Sequence, residues 1–285
     1  MERHPSLELL DTDSGTPKEV ADSLIDLRWF NRWFGGVATT RSMIQTVAHK
    51  TGKSEFSILE VAAGDGSLMH ALCTGLQNTG IRLNITLLDR AFTHLPALVN
   101  HNGYSAAGDA RVGRTFLSDA VGVDLAFDLE RQDQLQKRRT GMSRPHEHLE
   151  PQRPSAIRSA VVADALSLPF PDSAFDLISS SLFVHHLSPD QATAFARESL
   201  RVCRLAVLVH DLVRHPLHLA FAYAGMPLYR SRLTRNDAPA SVRQAYTIDE
   251  MKQFFRAAGA ASVDARMHYF YRMGLIAWKG SGSPA

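Results

Sequence analysis

The sequence predicts an α/β protein: a mostly parallel sheet with helices on both faces, closed at its C-terminal end by an antiparallel hairpin. Three observations carry this. Residues 57–68 run from an apolar stretch through Gly64 and Gly66 into a helical start, which reads as strand, tight turn and helix. Further apolar runs at 83–88, 160–163, 177–182 and 205–209 recur along the chain, as the strands of a buried parallel sheet do. The last two strand-like segments, about 261–269 and 271–279, are only a turn apart, so they pair antiparallel.

Residues 1–17 are polar and lack an apolar segment, so they read as a disordered tail. From 18 to 50 the periodicity is helical: Val20, Leu24 and Leu27, then Trp29, Phe30, Trp33 and Phe34, with a break at Gly35-Gly36 before the pattern resumes. Two helices joined by a glycine bend form an N-terminal helical cap. Four aromatics with Arg28, Asn31, Arg32 and Arg41 among them exceed the needs of one packing stripe, so Trp29, Trp33 and Arg41 are candidate substrate contacts. Plain core packing is the other reading.

In the glycine turn, Gly64 and Gly66 let a ligand approach the backbone, and the N–H groups of the next helix point into the same space. The following strand, 83–88, ends at Asp89, where a carboxylate can accept hydrogen bonds from both ribose hydroxyls of an adenosine or simply cap the next helix. Arg90 is positioned either along an adenine face or in solvent. Residues from about 105 to 157 depart from the strand–helix alternation and become polar, charged and Pro-containing, so they read as a surface insertion within a main domain at 51–280. Next come Asp164-Ala165, Leu168-Pro169-Phe170 and Phe175-Asp176, a strand end, a Pro-rich loop and a new strand.

The order Glu60, Ala62, Gly64, Gly66, followed by this Asp164–Asp176 block, resembles class I S-adenosylmethionine (SAM) dependent methyltransferases of the small-molecule type. Ala62 stands where that family usually has its first glycine. Asn31, Gly36 and Arg41 are loosely similar to the corresponding region of ubiquinone/menaquinone methyltransferases. The resemblance implies a Rossmann-like, seven-stranded α/β sheet and SAM as cofactor. It implies that Glu60, Ala62, Gly64 and Gly66 form the cofactor turn, that Asp164 takes the adenine amine with Ala165 beside the ring, and that Asp176 opens the fourth strand; Asp89, Arg90 and Ser181 join the expected cofactor-binding set by their positions at strand ends.

Ser181, His185 and His186 follow the fourth strand, and His210 and Asp211 end the fifth, so topology alone brings them to the carboxyl edge where ligands sit. A phenolic or carbon acid needs a base, and histidine titrates in the right range. His210 with Asp211 as its partner is the favoured pair; His185 and His186 are candidates that packing and capping also explain. Residues 213–246 are too long for a connector and mix His215 and Tyr229 with apolar residues, which suits a substrate cap. A helix packed on the sheet or lying on a membrane surface would use the same residues.

The formal net charge of +2 supplies no field that demands nucleic acid, and no basic stripe interleaves with stacking aromatics. No run is long enough to span a membrane. Cys73 and Cys203 lack metal-ligand spacing and read as free thiols, so a metal-free, cytoplasmic enzyme with a small-molecule acceptor is expected. Methylation of a phenol, quinol or polyketide-like ring, at oxygen or carbon, is the expected reaction. A non-catalytic SAM-binding scaffold and a nicotinamide-dependent oxidoreductase are the alternatives, the latter lacking its three-glycine turn.

Overall fold

Residues 1–6, 8–10, 15–90 and 156–280 are described by the computed structural model. The insertion expected at 105–157 lies outside them except for its last two residues, which open a strand. Helix α1, Pro17–Trp33, starts at a capping box between Thr16 and Glu19 and is followed by α2, Gly36–Thr51. The bend between them is made by Gly35 at φ 85°, a left-handed conformation that costs glycine little.

The strands are β1 Glu55–Val61, β2 Arg82–Asp89, β3 Ala156–Val162, β4 Phe175–Ser181, β5 Cys203–Leu212, β6 Ser262–His268 and β7 Arg272–Trp278. They form one sheet in the order β3-β2-β1-β4-β5-β7-β6, parallel throughout except that β7 runs against both β5 and β6. The intervening helices are α3 Ser67–Leu76, α4 Pro189–Val202, α5 Pro216–Ala224, α6 Arg232–Gln244 and α7 Ile248–Ala257. Helix α7 begins at the Thr247–Glu250 capping box that its sequence advertises.

Successive β1 residues serve opposite faces of the sheet. Leu59 and Val61 pack with Phe195 of α4 and Phe255 of α7, while Phe56 and Ile58 pack with Ile44 of α2 and Met69 of α3. Burial on both sides explains why the central strands read as continuous apolar runs. The strand order reverses between β1 and β4, which opens a crevice above the carboxyl edge. At the other edge Asp176 takes Lys53 and Arg204 at 2.9 and 2.8 Å and the Ser57 N–H at 3.0 Å, so its role is to pin strand starts.

The N-terminal segment differs from the free tail its polarity suggests. The Arg3 guanidinium donates to the carbonyls of Gln244, Leu187 and His185 at 2.7, 2.9 and 3.1 Å and lies over the Tyr246 ring. The Leu9 and Leu10 amides donate to the two oxygens of Asp237 at 2.8 and 3.0 Å. Backbone donors satisfied by a buried carboxylate, with an arginine anchored on carbonyls, replace the apolar contacts that such a segment normally needs to dock.

Candidate active site

Above the carboxyl edge is a cavity of about 940 Å³ whose floor is the ends of β1, β2, β4 and β5 with the loop after β3, and whose walls come from α1, α5, α6 and residues 8–10. Glu60, Asp89 and Asp164, from three adjacent strands or the loop that follows them, all line it, with Ala62, Gly64, Arg90, Ala165 and Ser181. The turn is held by its own acid: Asp89 Oδ2 accepts the Gly64 N–H at 2.8 Å. Ala62 and Gly64 stand at φ 56° and 53°, so glycine's freedom is required at one and endured by alanine at the other. Gly66, at φ 69°, caps α3 rather than lining the cavity. Asp164 accepts the Leu166 amide at 2.9 Å, which shapes the loop beyond β3.

Glu60 is only 3% exposed and its Oε2 has no hydrogen-bond partner among the described residues. Burial raises its carboxyl from an ordinary 4.5 to about 7, opposed by the nearby hydroxyls of Ser179 and Ser181. An unpartnered buried carboxylate facing a cavity is a receptor for a cation.

At the other end the walls are aromatic. Phe30 meets Tyr229 and Phe34 meets Phe270 edge-on at 5.5 and 4.7 Å between centroids, and Trp29 and Phe221 complete the rim. Tyr229 donates its hydroxyl to the Ala222 carbonyl at 2.7 Å, which ties the turn after α5 to that helix. Trp33 and Arg41, expected as substrate contacts, do not reach the cavity; Trp33 is 60% exposed and Arg41 faces solvent beside Gly75. His215 caps α5 through the Leu217 amide and stacks on Tyr271, so it supports the cap without lining the site.

Among the histidines the pairing is not the one expected. His210 and Asp211 are consecutive on β5, so their side chains leave opposite faces of the strand. His210 is fully buried, lines no part of the cavity and has no partner on either ring nitrogen among the described residues; burial, with Arg272 nearby, pushes it down to about 3. A ring so placed takes no proton from a ligand. Asp211 instead holds His185: Oδ1 lies 2.6 Å from Nδ1, and Oδ2 accepts the His185 backbone N–H at 3.1 Å.

His185 lines the cavity, and its Nε2 lies 3.6 Å from Glu8 Oε1. Burial disfavours its charged form, yet the flanking carboxylates of Asp211 and Glu8 raise it well above the usual imidazole range. Burial opposes ionisation of Glu8 as well, and the two facing imidazoles overcome it and hold that carboxyl below its ordinary value. Glu8 Oε1 also accepts from Ser241 and from Gln244 at 2.5 and 2.7 Å. His186 Nε2 is 4.0 Å from Glu8 Oε2. Among the described residues Glu8, His185 and His186 alone bring metal-ligating atoms within 4.8 Å of one another. Charge pairing along Asp211, His185 and Glu8 accounts for that grouping. Sequence reasoning missed Glu8; its only signal is a carboxylate set among leucines in a polar segment.

A family model described as a methyltransferase domain matches residues 102–206, just over a third of the chain. Among solved structures, the plantazolicin methyltransferase BpumL in complex with SAH is similar with a TM-score of 0.54 at 10% identity, covering 95% of this chain and 94% of that one. The apo methyltransferase SibL gives 0.52 at 14%, covering 97% and 63%. An O-methyltransferase family 2 protein from Planctomyces limnophilus, in complex with apigenin, gives 0.50 at 15%, covering 93% and 63%. This chain thus spans less than two thirds of the length of the latter two. No curated protein sequence matches it. Sheet order and glycine turn give the chain the fold of class I methyltransferases, and the methyltransferase-domain model matches part of it. No helix among the described residues is long and apolar enough to cross a membrane.

Proposed function

We propose that this chain transfers the methyl group of SAM to a small, hydrophobic, aromatic acceptor such as a phenol or quinol. The observation that supports the reading is the convergence of Glu60, Asp89 and Asp164 on one cavity with an aromatic far wall. In it Asp89 and Asp164 take the adenosine, while the unpartnered Glu60 oxygen takes the cofactor's ammonium, the cation whose size and charge suit a buried carboxylate.

Methyl transfer from a sulfonium is an in-line displacement in which charge disperses, so alignment in a water-poor site supplies much of the rate. The acceptor lies against Phe30, Tyr229 and Phe270, beside His185. The row Asp211, His185, Glu8 holds one imidazole charged between two carboxylates, with both ring nitrogens facing acids, so it sets a fixed positive charge beside the acceptor that favours the phenolate of a phenol whose pKa is ordinarily near 10.

The test has two arms. Thermal-shift titration with SAM, S-adenosylhomocysteine and NAD should show stabilisation by the first two only. Radiolabelled methyl transfer should then find turnover on a panel of phenols and quinols. Stabilisation by NAD alone ends the reading, and tight SAM binding without turnover on any acceptor reduces the protein to a SAM-binding scaffold.

A further inference from the structure

Arg272 opens β7 opposite Leu212 of β5, and both line the cavity. The residue is 5% exposed, and its buried Nη1 has no hydrogen-bond partner among the described residues. Asp211 attracts it but is already engaged: one oxygen faces His185 Nδ1 at 2.6 Å and the Leu212 N–H at 2.7 Å, and the other takes the His185 N–H. Burial pulls the guanidinium down to about 10, which leaves it charged at neutral pH. An arginine kept charged and dry without a bonded anion is expensive, and its planar fork matches a carboxylate.

The backbone before it is strained toward the same end. Phe270 and Tyr271 stand at φ 51° and 55°, left-handed values that cost a side-chain-bearing residue roughly 1–2 kcal/mol each. The turn they make brings both Phe270 and Arg272 into the lining of the same cavity. Strain of this kind persists where the geometry serves a site.

We propose that Arg272 binds a carboxylate carried by the aromatic acceptor, so that the substrate is a hydroxy-aromatic acid. The inference rests on the methyltransferase reading above. The cofactor's own carboxylate is the rival occupant. Glu60 is on β1 and Arg272 on β7, three strands apart in the order β1-β4-β5-β7, a separation on the order of 14 Å at the usual strand spacing. An amino-acid group whose ammonium meets Glu60 does not span that distance, whereas one aromatic ring between the methyl group and Arg272 does. Phe34, Phe221 and Phe270, which meet edge-on in the lining of the same cavity, suit the ring of a monoanion better than a phosphate, which would want further donors.

The experiment uses the full chain saturated with S-adenosylhomocysteine and measures, by calorimetry, binding of 4-hydroxybenzoate, 4-hydroxycinnamate and longer hydroxy-aromatic acids, each beside its carboxamide. At least one acid should bind tenfold or more tightly than its amide. Arg272→Gln should bring that ratio to about one and Arg272→Lys should keep part of it, with S-adenosylhomocysteine affinity within twofold in all three proteins. Equal binding of every acid and amide by the parent, failure of all the acids to bind, or a ratio that survives Arg272→Gln overturns the proposal. So does Arg272→Gln that loses S-adenosylhomocysteine instead, since that assigns the arginine to the cofactor. A parent that binds no S-adenosylhomocysteine sinks the methyltransferase reading itself and this proposal with it, an outcome distinct from the others.

Discussion

Replacing Glu60 by glutamine should strengthen the fold and weaken the cofactor complex. In the folded protein burial lifts the carboxyl from 4.5 to about 7, and each tenfold change in proton affinity is worth about 1.4 kcal/mol, so ionising it costs about 3 kcal/mol. A raised acid pKa means that the folded state binds more protons than the unfolded one between those two values. Stability from neutral Glu60 is therefore full below about pH 4.5, falls as pH rises through the window, and levels off above about 7. Glutamine has no such window. In urea unfolding of the cofactor-free protein, the stability of Glu60→Gln minus that of the parent should grow by about 2–3 kcal/mol between pH 5 and pH 8. An unsatisfied amide takes back about 1 kcal/mol at every pH and leaves the slope unchanged. At pH 8 the same substitution should weaken SAM binding by roughly 10- to 100-fold, the worth of a charged hydrogen bond. A stability gap that is flat with pH, or unaltered SAM affinity, would refute the assignment of Glu60 as a buried, titrating receptor for the ammonium.

Three further outcomes follow from the same geometry. Asp211→Asn should lower kcat by at least about tenfold with little change in S-adenosylhomocysteine affinity, because His185 loses the acceptor that orients its Nδ1; an equal loss of cofactor binding would show collapse of the site instead. His210→Leu should keep turnover near the parent's and leave stability unchanged or higher, since a buried ring with no bonded nitrogen contributes little, and a large fall in kcat would restore His210 as a base. Glu8→Ala should cost about 1–3 kcal/mol in chemical denaturation by leaving the Gln244 amide and His185 Nε2 without their acceptor, and should reduce kcat more than it changes SAM binding.

Most of the sheet is legible in the sequence because burial on both faces writes itself as apolar runs, and because the glycine turn and the capping box at Thr247 are local signals. The acids that line the cavity are legible for the same reason: each follows directly from where a strand ends. The acid–histidine pairing is different. Adjacency on a strand separates His210 from Asp211, as the period-two rule requires, while the true partner, His185, is 26 residues away in sequence and arrives only through the β4–β5 register. Glu8 and Arg272 have no local signature either. What makes them notable is that a charged side chain is buried, a property of the folded chain. Arg41 and Trp33 share a helix-spanning segment with residues that do reach the cavity, but they lie on the outward side of it.

Ala62, at φ 56°, is a residue of the glycine turn with a methyl group where none is comfortable. A chain that tolerates this has traded backbone ease for a fixed shape in the loop, in which the Ala63 amide bonds the Leu88 carbonyl and the Gly64 amide the Asp89 carboxylate. Relaxing it with glycine would lower the local energy and, by the same act, release the amides to wander, so the variant should bind cofactor more slowly or more weakly even as it unfolds less readily.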